Sequence, residues 1–161
     1  MYTFVQAHDR VASDAVKRNR LFLCSRIRKR NMADCKIHVV CCDDTPEQFS
    51  QLCDLDTDWK SIETLVLSTA EQELPAGEDR GLHNAAPHAE HGRVTYLQQV
   101  HRGGFSVFVG PPDQLRETFF GPGSLIAFQD ESGPGHASRV GPEGVTRTLR
   151  VLRGHLLHDR A

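Results

Sequence analysis

Glycine and proline interrupt the C-terminal half of this chain at intervals too short for helices. Gly103-Gly104, Gly110-Pro111-Pro112, Gly121-Pro122-Gly123, Gly133-Pro134-Gly135 and Gly141-Pro142 all fall within about forty residues. The segments that these breaks leave suit strands, which average roughly five or six residues. Arg93–Val100, Phe105–Val109, Ser124–Phe128, His136–Val140 and Val145–Leu152 are the strand candidates. Parallel neighbours need crossovers of about a dozen residues or more, so the short turns favour antiparallel pairing in a sandwich or jelly roll.

The N-terminal half reads differently. Val11, Ala15, Leu21, Leu23, Cys24 and Ile27 follow an imperfect helical period, with Asp9 or Ser13 as a cap, which predicts a helix to Arg30. Cys35–Cys42 is β-branched and reads as a strand. Asp44-Thr45-Pro46-Glu47 resembles a helix start, which predicts a short helix through Phe49, Leu52 and Cys53. Ile62–Ser68 is a further strand candidate, and residues 70–92 read as a long loop. The expected class is α+β: N-terminal helices packed on a C-terminal β-roll, in a single domain over 1–161. Within it, 1–70 would support a roll formed by 71–161.

Charge and composition exclude several functions. The 161 residues carry 19 basic and 21 acidic side chains, a net charge of −2. That balance argues against a dedicated nucleic-acid binder or a polybasic membrane anchor. The basic residues of 1–34 and the six acidic residues of Asp43–Asp58 read as solvated faces. No apolar run approaches the roughly 20 residues that span a bilayer. The start, MYTFVQAHDR, lacks the apolar core of a secretory signal, so the expected location is cytoplasmic. Five cysteines, all before residue 54 and without C-x2-C spacing, make neither a disulfide framework nor a zinc site.

Chemistry concentrates in His83-Asn84-Ala85-Ala86-Pro87-His88-Ala89-Glu90-His91. On an extended segment His88 and Glu90 point to one face, which is half of a metal site. Two histidines and one carboxylate on one side of a metal form the non-haem iron(II) arrangement. His136, which opens a strand after a Gly-Pro-Gly turn, is one candidate for the remaining ligand; His155, His158, His8 and His38 are others. On the last strand Val145, Arg147, Leu149 and Val151 share a face. An arginine among apolar side chains is costly unless it meets an anion, and its fork suits a carboxylate.

His88-Ala89-Glu90, Val94-Thr95-Tyr96-Leu97, Gly103-Gly104-Phe105, Gly121–Phe128, His136 and Arg147 occur in a familiar order. Over about residues 80–153 the chain resembles the catalytic half of the iron(II)- and 2-oxoglutarate-dependent oxygenases, in particular the prolyl-hydroxylase-like branch. Glu90 stands where that family usually has aspartate, and Leu149 where a small polar residue is usual. The resemblance implies a double-stranded β-helix with His88, Glu90 and His136 as Fe(II) ligands. Arg147 would clamp the far carboxylate of 2-oxoglutarate, and Tyr96 would either contact that cosubstrate or pack in the core. It also implies hydroxylation of a second substrate, a protein or peptide side chain by analogy with that branch. The rival reading is a non-catalytic or cupin-like metal-binding β-roll that serves as a ligand- or protein-binding module.

Overall fold

The structure, a computed structural model, describes residues 34–42 and 47–157. Among the described residues eight strands and one short helix follow in order: β1 (Asp34–Cys41), β2 (Gln51–Asp58), α1 (Trp59–Glu63), β3 (Val66–Leu74), β4 (Asp79–His83), β5 (Val94–Val109), β6 (Arg116–Phe120), β7 (Leu125–Phe128) and β8 (His136–Arg153).

β5 and β8 organise the sheet. At about 3.3 Å per residue their 16 and 18 residues would each extend some 50–60 Å if straight, too long for one layer of a chain this size. Both bend instead, with register shifts between Val100 and Arg102 and between Gly103 and Phe105. On one side of the bend the strand order is β2-β1-β7-β5-β8-β3; on the other, β6 pairs with β5 and β4 with β8. Neighbours are antiparallel except β1 and β7, which run parallel. At the corner Gly103, at φ +64°, lies directly against the carbonyl of Gly144, so that a side chain there would overlap it. The bend thus depends on the glycines that the sequence pattern reads as a break between two strands.

Two apolar clusters form because β1, β5, β7 and β8 are covered on both faces. Val40, Val100, Phe105, Ile126, Phe128 and Val145 fill one. Ile37, Val39, Leu97, Ala127 and Leu152 fill the other, where α1 (through Ile62), Leu65 and Leu156 cover the sheet. Asp58 caps α1 by accepting from Ser61 N at 3.1 Å.

The expected α+β class is overturned: among the described residues the only α-helix has five residues, and strands make up the rest of the regular structure. The β-sheet-rich fold is compatible with a jelly roll, but not with N-terminal helices packed on a β-helix. The helix expected at 11–30 lies outside the described residues. The helix expected through Phe49–Cys53 is replaced by β2, whose outward Asp54 pairs with Lys36 and His38 of β1. The expected loop at 70–92 contains the end of β3 and all of β4. Residues on both sides of position 70 share one sheet.

Candidate functional site

Strands from both sides of the bend line a cavity of about 220 Å³, with an adjoining recess of about 40 Å³. Arg147, Gln98, His136, His83 and Arg80 line both. A larger surface hollow, about 740 Å³, runs past Phe49 and Pro111 but is lined by no buried charge.

Arg147 enters the cavity because the alternation along β8 turns Val145 and Arg147 inward. It is 7% exposed. Nε donates to Gln72 Oε1 at 3.0 Å and Nη1 to Gln98 Oε1 at 2.6 Å, while the guanidinium lies 5.4 Å from the centre of the Phe105 ring. Both acceptors are neutral amides, and among the described residues no carboxylate forms an ion pair with it. Burial, with repulsion from Arg80 added and attraction to Glu78 opposing, pushes its pKa down to about 10, so the side chain remains a cation at neutral pH. A guanidinium has five N–H donors. Two are engaged here, which leaves three.

His136 is 3% exposed at the start of β8. Its Nδ1 donates to Asp130 Oδ2 at 2.7 Å, and Ser50 Oγ donates to the same oxygen at 2.7 Å. Asp130 is fully buried. Asn84 Nδ2 pins the loop carrying it by donating to the carbonyls of Ser132 and Gly133, each at 3.0 Å. His83 faces His136 across the β4–β8 pairing, with ring centres 4.3 Å apart, and its Nδ1 donates to Gly81 O at 2.7 Å. Gly135, at φ +81°, lies directly against the His83 carbonyl, which permits that approach. Tyr96 also lines the cavity; its hydroxyl donates to Ala86 O at 2.8 Å. Burial raises the pKa of that hydroxyl.

The structure therefore brings His136, Arg147 and Tyr96 together and leaves His88 and Glu90 apart. His88 and Gly92 close a tight turn, in which the His88 ring stacks on His91 and His88 Nδ1 accepts from Glu90 N. Neither His88 nor Glu90 lines the cavity, and the Glu90 side chain is exposed. Among the described residues, no three His, Cys, Asp or Glu side chains group to hold a metal ion. The donor set does not fit the Fe(II) that the resemblance implies. Sequence reasoning missed Asp130, Gln72 and Gln98 and gave His83 a place in the His83–His91 cluster but no role. Val66–Leu74 reads Val-Leu-Ser-Thr-Ala-Glu-Gln-Glu-Leu, with no polar–apolar alternation to mark the inward face of Gln72, and Asp130 leaves no local signal either.

No protein-family model matches the chain, and no curated protein matches it. Among the described residues, no helix is long and apolar enough to cross a membrane.

Proposed function

We propose that this chain is a β-roll binding module whose cavity takes a small carboxylate. The observation that carries this reading is Arg147: a buried cation oriented by two neutral amides and facing an open volume. Structural arginines at such depth ordinarily meet a carboxylate of the protein, because an uncompensated buried charge is expensive. Here an anionic ligand would complete the pairing through the three free donors of Arg147; Arg80 at the rim is already paired with Glu78, at 2.9 Å. A cavity of about 220 Å³ suits a small acid rather than a bulky ligand.

The oxygenase reading draws support from Arg147 and His136 sharing this cavity, and 2-oxoglutarate is one carboxylate of suitable size. It also needs two further metal ligands, which His88 and Glu90 do not supply in this arrangement.

Isothermal titration of the full chain with pyruvate, succinate and 2-oxoglutarate tests the module reading, with methyl pyruvate as the neutral control. Saturable binding of at least one acid is expected, weakened at least tenfold in Arg147→Met and absent for the ester. Flat titrations with all three acids would remove the reading.

A further inference from the structure

We infer that the cavity also performs proton transfer, with His136 Nε2 removing a proton from the carbon next to the carbonyl of a small 2-oxo acid held by Arg147. This rests on the carboxylate reading above. The bond to Asp130 Oδ2 fixes the ring proton of His136 on Nδ1 and leaves the lone pair on Nε2. That nitrogen has no hydrogen-bond partner among the described residues. The ring is packed against Phe128 and His83, with centres 4.6 Å and 4.3 Å away, so it cannot swing out of the cavity that it lines. Ser50 and the pinned loop hold Asp130 in turn. A base, a group that orients it and a cation that grips the substrate are the parts of general-base catalysis at a carbon acid.

The 2-oxo acids suit Arg147 because a carboxylate oxygen and the adjacent carbonyl oxygen lie side by side and match a guanidinium edge. As the C3–H bond breaks, the proton passes to Nε2. The electron pair forms a C2–C3 double bond, and the carbonyl pair moves onto oxygen, where Arg147 faces the developing charge. Return of a proton from the imidazolium to C3 restores the acid, so the cycle needs no oxidant or cofactor. Asp130 acts here as a positioning residue.

Proton NMR in D2O tests this by following loss of the C3 proton signals of pyruvate and 2-oxoglutarate. The full chain is used at acid concentrations that calorimetry shows to be saturating. Exchange about 100-fold faster than in buffer is expected, falling to the buffer rate in His136→Gln. Asp130→Asn should slow exchange and displace its pH profile, whereas a merely structural role would leave the profile in place. Binding without exchange above buffer overturns proton transfer and leaves the carboxylate reading intact. Absence of binding overturns both. Exchange in His136→Gln as fast as in wild type removes His136 from the role.

Discussion

Arg147 Nη1 donates to Gln98 Oε1 at 2.6 Å, a neutral acceptor at a position where one atom's difference would supply a counter-charge. Gln98→Glu is nearly isosteric and would pair the cation within the protein. A charged acceptor improves such a bond by about 1 kcal/mol over a neutral one, a gain of a few degrees in Tm for a chain of this size. The same change should weaken carboxylate binding at least tenfold, since the internal carboxylate competes for the guanidinium. Calorimetry and thermal melts on the same preparation would show the two effects moving in opposite directions. Unchanged affinity would mean that the charge of Arg147 is not what holds the ligand.

Gly135 and Gly123 separate two costs of a side chain. Both have positive φ, +81° and +86°, but a Cβ at Gly123 meets nothing within 4 Å, whereas one at Gly135 runs into the His83 carbonyl. Gly123→Ala should therefore cost only the backbone term, about 1–2 kcal/mol. Gly135→Ala must also push β4 away from β8, so its loss of stability should be clearly larger, with loss of carboxylate binding as His83 moves. Equal losses in urea denaturation would mean that the β4–β8 approach is softer than the packing indicates.

Ile62 tests the outer cluster. It is 2% exposed, and it is the buried residue of a five-residue helix, far below the length that is stable alone. Ile62→Ala should cost about 2–5 kcal/mol while leaving carboxylate affinity unchanged, because Ile62 is absent from the cavity lining. Chemical denaturation and calorimetry on the variant check both halves.

Arg147 was legible in the sequence because Val145, Leu149 and Val151 set its phase, and a strand's period needs only local information. His136 was legible as the first residue after a Gly-Pro-Gly turn. Other features were obscured by competing local signals. The Pro46 helix-start pattern masked the alternation of Leu55 between Asp54 and Asp56, which is that of a strand with one face in water. Gly103-Gly104 read as a turn between two strands, when it is a bend within one. The contact of Asp130 with His136 and of His83 with His136 depends on where β4 docks, and docking is set by tertiary packing. His88 and Glu90 had the spacing of a metal site but sit in a turn that faces solvent.

Cys41 and Cys53 lie with their sulfurs 3.4 Å apart on β1 and β2, and neither is bridged. Burial, reinforced by the Cys53 contact, pushes the Cys41 thiol up to about 12. At pH 8 almost none of it is thiolate, the species that attacks alkylating reagents. Iodoacetamide applied to the native protein at pH 8 should therefore leave Cys41 unmodified, as read by peptide mass mapping, and should modify it once the chain is unfolded in guanidinium. Linkage gives the sign of the pH effect. A folded-state pKa raised above the unfolded value near 9 means that this thiol's contribution is fully present below about pH 9 and is lost as pH rises toward 12. Urea melts should accordingly show wild type losing stability over that alkaline window, and Cys41→Ser, whose hydroxyl does not titrate there, losing less. Rapid labelling of Cys41 in the folded protein at pH 8 would contradict the raised pKa.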